Sequence, residues 1–388
     1  MTKAAVLAKH DDDVVIISAI RSALTKGKKG GFKDTHPEEI LAHVLTHVYK
    51  SVNLDPKLIE DISVGNVLPA AGGATAARMA ALFAGIPEST SINTVNRQCS
   101  SGLTAISQIA NEIKAGQIDI GIGAGVESMT KGYGAAAMPP GYSDLLLTNP
   151  KAEDCRMPMG ITSENVASDY NISREYQDAK RVAFKDEILP IEVTWVDPKT
   201  EQEKKVVVDF DDGVRDGVTK ESLAKLKPAF SKDGSTHAGN ASQVSDGAAA
   251  VLLARRSVAK KLGLPIIGKY VSSATIGVPP RIMGVGPAYA IPRVLEKTGL
   301  TQDDVDFYEI NEAFASQAIF SIDHLKIDHK KVNKHGGAIA IGHPLGCTGA
   351  RQVATGLNIA KQYNDKIFVT SMCIGSGMGM AAVFVNEQ

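Results

Sequence analysis

The same order of elements runs twice along this chain, and that repeat narrows its fold more than any other feature. Asp61-Ile-Ser-Val-Gly-Asn-Val67 reads as a buried strand, and a second apolar strand leads from Ser91 into Cys99. The helix that follows carries Leu103, Ile106, Ile109 and Ile113 on one face and stops at Gly116, ahead of a strand over 118–122. The final third has the same succession. The strand over 304–310 mirrors the one at Asp61, the turn and helix after His343 mirror those at Cys99, and Lys366-Ile-Phe-Val369 mirrors 118–122. Alternating strands and helices predict an α/β layered fold, here built as two similar halves.

Val14-Val-Ile-Ile17 adds a buried strand ahead of the first unit. Thr35-His-Pro-Glu38 has capping-box spacing with proline just inside, and Ile40, Leu41, Val44, Leu45 and Val48 follow at helical spacing. Between the halves the pattern weakens. Pro139-Pro-Gly141, a Lys/Glu-rich hairpin around Asp197-Pro-Lys-Thr-Glu-Gln-Glu-Lys-Lys205, and Asp211-Asp-Gly213 mark loops. The expected division is residues 1–125, completed by about 237–262, as the first half. Residues 126–236 would form an inserted cap or substrate-binding domain, and 263–388 the second half.

With 388 residues, 44% of them apolar, the chain can fill two or more cores. Its net charge of -1, with no basic stripe, argues against nucleic acid or an anionic membrane as the main partner. Small-molecule chemistry fits better. The four cysteines (Cys99, Cys155, Cys347 and Cys373) match neither a disulfide framework nor structural zinc spacing, so a reducing compartment is implied. No apolar run reaches the ~20 residues of a membrane helix, and residues 1–13 lack a secretory apolar core.

Four segments carry the chemistry. A free cysteine is more often an inert core residue. Cys99, however, sits where a strand runs into a helix, and unpaired N–H groups and the positive dipole end there favour thiolate. Gly336-Gly-Ala-Ile-Ala-Ile-Gly342-His343-Pro344-Leu-Gly346 puts a histidine in a glycine-rich turn at the place that Cys99 takes in the first half, so one pseudo-twofold site could hold both. Cys373 ends a strand and enters Ile374-Gly375-Ser-Gly377-Met-Gly379. A phosphate loop is rejected there because Ala381-Ala-Val-Phe-Val385 reads as a strand where a dinucleotide site needs a helix. Gly121-Ile-Gly123-Ala-Gly125 has the wrong spacing for that fingerprint. The alternative for the Cys373 loop is backbone N–H groups aimed at an oxyanion, with Cys373 beside them as a proton carrier.

Asn311-Glu312-Ala-Phe314 reads equally as a functional block or as a helix cap with an acidic first turn. The glycine-bounded stretch from Gly239 through Ser242 to Gly247 is either a plain loop or one that contacts a ligand. His43 and His47 have i,i+4 spacing without an acidic partner between them, and solvated histidines are favoured over a metal site.

Taken together, Asn96-Arg-Gln-Cys99-Ser-Ser-Gly-Leu, Asn311-Glu-Ala-Phe314, Gly342-His343-Pro344-Leu-Gly and Cys373-Ile-Gly375-Ser-Gly-Met-Gly379 resemble the four signature blocks of the thiolase family, in order and spacing over nearly the whole chain. The resemblance implies two duplicated α/β halves in a five-layered αβαβα core with a loop domain inserted in the first. Arg97-Gln98 and Gly160-Ile-Thr-Ser-Glu-Asn165 are most similar to degradative 3-ketoacyl-CoA thiolases, particularly the peroxisomal branch.

By that resemblance, His343 takes the proton of Cys99, whose thiolate attacks the 3-keto carbon of a 3-ketoacyl-CoA, and Cys373 protonates the released acetyl-CoA enolate. His343 and a water on Asn311 meet the enolate oxygen, backbone N–H groups of Cys99 and Gly375 meet the other oxyanion, and Ser242 contacts the pantetheine arm of CoA. Coenzyme A is a co-substrate, and no metal or organic cofactor is required. Alternatives are an acetyl-CoA acetyltransferase acting on a four-carbon substrate, a thiolase-like lipid carrier or inactive scaffold, and a cysteine hydrolase.

The resemblance also implies a homodimer at least, and a peroxisomal location, with the cytoplasm as the alternative. The chain lacks the R-L-x₅-H-L nonapeptide of peroxisomal relatives, and its last residues are not a C-terminal peroxisomal tripeptide. One departure stands out. After Ile172-Ser-Arg-Glu-Tyr-Gln-Asp178 the family continues through a helix of about four turns, whereas here Ala179-Lys-Arg-Val-Ala-Phe184 follows almost at once.

Overall fold

The computed structural model of the chain describes residues 2–134, 139, 141–177, 187–215 and 217–388. Residues 178–186, where the sequence is expected to be shorter than the family it resembles, therefore lie outside the described residues. The first strands are β1 (Val14–Ser22), β2 (Thr25–Lys26), β3 (Asp61–Gly65), β4 (Ser91–Val95) and β5 (Ile120–Ser128). The middle of the chain gives β6 (Ile188–Leu189), β7 (Ile191–Val196) and β8 (Glu203–Val208). The rest are β9 (Ser245–Arg255), β10 (Gly268–Gly277), β11 (Phe307–Ile310), β12 (Ile367–Ile374) and β13 (Met378–Asn386). Helices of ten or more residues are numbered here α1 (Pro37–Lys50), α2 (Ala74–Phe83), α3 (Ser101–Lys114), α4 (Met159–Asp169), α5 (Gly286–Thr298), α6 (Ala315–His324) and α7 (Leu345–Tyr363).

The duplication read from the sequence is present in the hydrogen bonding. The main sheet runs β11-β12-β13-β10-β1-β9-β5-β3-β4, and its seam is the antiparallel pair β1–β10, with Val14 opposite Tyr270. Outward from the seam, β1-β9-β5-β3 and β10-β13-β12-β11 repeat one pattern of two antiparallel pairings and then a parallel one. The second half replaces β4 with an isolated parallel bridge between Tyr308 and Val332. Even an irregularity is duplicated: the register shifts between Ile16 and Ser18 in β1, and between Tyr270 and Ser272 in β10.

Side-chain alternation along the strands then dictates the layers. In β9, Ala248, Ala250, Leu252 and Ala254 pack outward with Ile40, Leu41, Val44, Leu45 and Val48 of α1. Their neighbours Ala249, Val251 and Leu253 face inward, with Leu103, Ile106, Ile109 and Ile113 of α3 and Ala350, Val353 and Leu357 of α7. In β13, Met380, Ala382 and Phe384 face that same inner helical layer, while Ala381, Val383 and Val385 pack outward with Ile291, Val294 and Leu295 of α5. The result is five layers, α-β-α-β-α, with both faces of each half-sheet covered.

Glycine permits the crossing of the two inner helices. A Cβ on Gly102 would lie 2.7 Å from the Gly346 carbonyl oxygen and 2.8 Å from the Ala350 nitrogen. The glycines of β5 serve the same packing, since a Cβ on Gly123 would come 2.5 Å from Ile106 Cα.

Three local expectations are corrected. The capping box at Thr35 does not form: His36 is the N-cap of α1 and makes no side-chain cap, and the Thr35 hydroxyl is buried without a partner, leaving Pro37 as the start signal. β5 begins at Ile120 and continues to Ser128, because its later residues pair with β9 as far as Asp246. Asn311 caps no helix, since Phe314 is the N-cap of α6. Between β5 and β9 the chain forms short helices, α4 and the separate β7–β8 hairpin. Fully buried Arg21 of β1 anchors this stretch by ion pairs to Glu187 and Asp211, the latter at 2.7 Å.

Candidate active site

Because α3 and α7 cross at Gly102 and Gly346, the turns that precede them lie side by side. Cys99 and His343 each stand three residues ahead of the crossing glycine, so the pseudo-twofold arrangement places thiol and imidazole in adjoining turns.

Cys99 lies in the turn between β4 and α3, after Gln98 in the left-handed region at φ +47°, and is 8% exposed. The helix itself starts at Ser101. Its position had suggested a resting thiolate, and the structure corrects this. Burial raises the Cys99 thiol to about 11, outweighing the backbone N–H groups of Gly375 and Cys99 that face the sulfur, while the Glu127 charge pushes the same way as burial. The thiol rests protonated and needs a base.

His343, in the adjoining turn, has the chemistry that such a base requires. Gly342 before it has φ +104°, and a Cβ there would run into the Ser245 side chain, so the turn requires glycine. The Thr348 hydroxyl donates to the Pro344 carbonyl at 3.0 Å and lies 2.6 Å from His343 Nδ1. With its proton committed, Thr348 accepts from Nδ1–H, which leaves Nε2 unprotonated and able to accept a proton. Burial, with the Arg351 charge, holds the imidazole down to about 3, so it is neutral at physiological pH.

Asn311 leaves β11 and donates through Nδ2 to His343 Nε2 at 3.3 Å. Its Oδ1 is buried without a protein partner, an acceptor placed to hold a water. Cys373 ends β12 and is fully buried, and its thiol donates to Gln317 Oε1 at 2.7 Å. Burial, then the nearby Cys99, pushes Cys373 well above the ordinary thiol range. The loop after it is the β12–β13 hairpin, with Ser376 and Gly377 at positive φ, as the rejection of a phosphate loop required.

Ser242 is half-buried and donates its backbone N–H to the Ala313 carbonyl at 3.0 Å, and Ala241 bridges Phe314. The 239–247 loop is thus strapped to the Asn311 block. On α1, His47 is exposed and His43 half-buried.

Three residues of the site went unread in the sequence. Thr348 and Gln317 are ordinary polar residues within helices and give no local signal. Glu127 had one: it is a carboxylate in β5, a strand buried along its whole length. Glu127 accepts N–H groups from Val67, Leu68 and Gly346 at 3.1, 3.2 and 2.9 Å, tying the end of β3 to the start of α7, and burial raises it to about 7.

Residues 14–257 match the model of the thiolase N-terminal domain, and residues 264–386 that of the thiolase C-terminal domain. The chain belongs to the thiolase family. It is 58% identical to the peroxisomal 3-ketoacyl-CoA thiolase of Yarrowia lipolytica, over 99% of this chain and 95% of that protein. The dimeric peroxisomal thiolase of Saccharomyces cerevisiae superposes with a TM-score of 0.91 at 51% identity, covering 99% of this chain and 100% of the other. The acetyl-CoA acetyltransferase of Bacillus anthracis is 34% identical, with a TM-score of 0.85 over 96% of this chain and 98% of its own. The five layers and duplicated half-sheets described above are therefore the thiolase fold.

Proposed function

We infer that the protein is a degradative 3-ketoacyl-CoA thiolase of the peroxisome, using CoA to cleave a 3-ketoacyl-CoA into acetyl-CoA and a shortened acyl-CoA in fatty acid β-oxidation. The observation that carries this reading is a buried site holding two thiols with opposite hydrogen bonding beside a neutral imidazole. Cys99 faces N–H donors, and Cys373 faces an amide oxygen. The relatives at 58% and 51% identity support both activity and compartment, and the acetyltransferase, at 34%, is the more distant match.

Catalysis follows from the placement of donors. His343 Nε2 takes the Cys99 proton as the sulfur bonds to the 3-keto carbon, and the N–H groups of Cys99 and Gly375 hold the new oxyanion. The carbonyl reforms as a thioester on Cys99, the carbon–carbon bond breaks, and its electron pair passes into the acetyl-CoA enolate. Protonation of Nε2 breaks its bond from Asn311 and turns Nε2–H toward the enolate oxygen, beside the water held by Asn311 Oδ1. Cys373 then gives its proton to the enolate carbon and is left as thiolate. That thiolate takes the proton of incoming CoA, whose sulfur attacks the acyl carbon, and Cys99 leaves and recovers its proton from His343. Sulfur supplies both nucleophile and leaving group, so this route needs no metal or organic cofactor.

Ser242, strapped beside Ala313, is assigned to the pantetheine arm, and the stretch between β5 and β9 to docking of CoA and substrate. A homodimer fits the open edge of β4, which ends the sheet beside α2 with Met79 61% and Phe83 81% exposed.

The test is CoA-dependent thiolysis of acetoacetyl-CoA against a long-chain 3-ketoacyl-CoA, with Cys99→Ala as control. Preference for the long chain, lost in the variant, is expected. Preference for acetoacetyl-CoA would move the assignment to the acetyltransferase, and no turnover on either would favour a carrier or scaffold.

A further inference from the structure

Gln317 lies outside all four signature blocks, yet it holds one of the two reacting thiols. It sits in α6 at 1% exposure, and its Nε2 donates to the Asn311 carbonyl at 2.9 Å. That bond fixes which end of the amide faces which neighbour, because an amide oxygen turned toward another carbonyl would be repelled. Oε1 is therefore directed at Cys373 Sγ and accepts its S–H at 2.7 Å. Gly284 closes the other side, where a Cβ would come within 2.6 Å of Gln317 Cβ and displace it.

We propose that Gln317 is a positioning residue that assigns the two thiols their separate roles, holding Cys373 as the proton carrier and leaving Cys99 as the nucleophile. An amide oxygen stabilises S–H and repels a thiolate, while the N–H groups of Gly375 and Cys99 do the reverse at the other sulfur. Without this difference, two adjacent buried thiols would compete for the single base. The same arrangement makes Cys373, once it has given up its proton, a strong base toward the thiol of CoA. The Nε2 bond also couples Cys373 to Asn311, so that proton donor and enolate-stabilising amide are set by one side chain.

The inference rests on the thiolase chemistry proposed above, and its test separates the two sulfurs. The burst of nitrophenolate from p-nitrophenyl acetate reads acylation of Cys99, since that leaving group needs no proton. Exchange of the acetyl-CoA methyl protons in D₂O reads Cys373, and its pH midpoint follows the thiol. In Gln317→Met the burst should stay within about twofold of wild type, while thiolysis kcat falls roughly 10- to 100-fold and the exchange midpoint drops by about one pH unit. Gln317→Glu keeps size and an acceptor, and should move the midpoint upward and retain more thiolysis than the methionine variant.

Burst and exchange falling together in Gln317→Met, or a midpoint unmoved in both variants, would overturn the proposal. Should the methionine variant not fold, an unmoved or lowered midpoint in Gln317→Glu overturns it alone. Absence of thiolysis in the wild type would instead overturn the functional reading.

Discussion

The Thr348 hydroxyl lies 2.6 Å from His343 Nδ1 while donating to the Pro344 carbonyl, so a single threonine sets the histidine tautomer. Thr348→Val would leave Nδ1–H buried without an acceptor, and kcat should fall roughly 10- to 100-fold with KM little changed. Thr348→Ser should retain most of the rate. Steady-state kinetics of the two variants check this.

Asn311 is expected to act on the enolate rather than on the acyl intermediate. Asn311→Ala removes the Oδ1 acceptor that would hold the water, and thiolysis should slow on the order of 10²–10³-fold. Acylation of Cys99 by p-nitrophenyl acetate, which forms no enolate, should persist.

The crossing of α3 and α7 gives a stability prediction. The Cβ introduced by Gly102→Ala meets backbone atoms at 2.7 and 2.8 Å, which cannot rotate away. Urea denaturation should show a loss of about 1–3 kcal/mol, and because Cys99 and His343 ride on these helix starts, activity should fall further than stability alone would require.

Titration of His343 has a definite sign. Its folded value, about 3, lies below the ordinary 6.5, so between these values the unfolded chain binds more protons than the folded one. Stability contributed by the neutral imidazole is therefore present above pH 6.5 and lost as pH falls toward 3. Thermal melts of His343→Gln, which does not titrate, should show a shallower acid loss across that window than wild type. Parallel curves would contradict the burial argument.

The strong periodicities made most of the fold legible. Leu103, Ile106, Ile109 and Ile113 did form one inner face, the mirrored strands did fall in equivalent places, and the duplication did bring the starts of α3 and α7, just after Cys99 and His343, side by side. The parts that sequence left open depend on contacts distant along the chain. Gln317 reaches Cys373 across 56 residues, and Glu127 reaches Gly346 across 219. Nor did local pattern show that burial would outweigh the N–H groups at Cys99, because that balance is set by how completely the five layers close over the sulfur.

The proposed route turns on an acyl group carried by Cys99. Incubating the enzyme with 3-ketooctanoyl-CoA in the absence of CoA, then mapping peptides by mass spectrometry, tests it directly. A hexanoyl group on Cys99, with acetyl-CoA released in equal amount and neither formed by Cys99→Ala, is the predicted result. Acetyl-CoA release without acylation, or an acyl group on Cys373 in place of Cys99, would contradict the account.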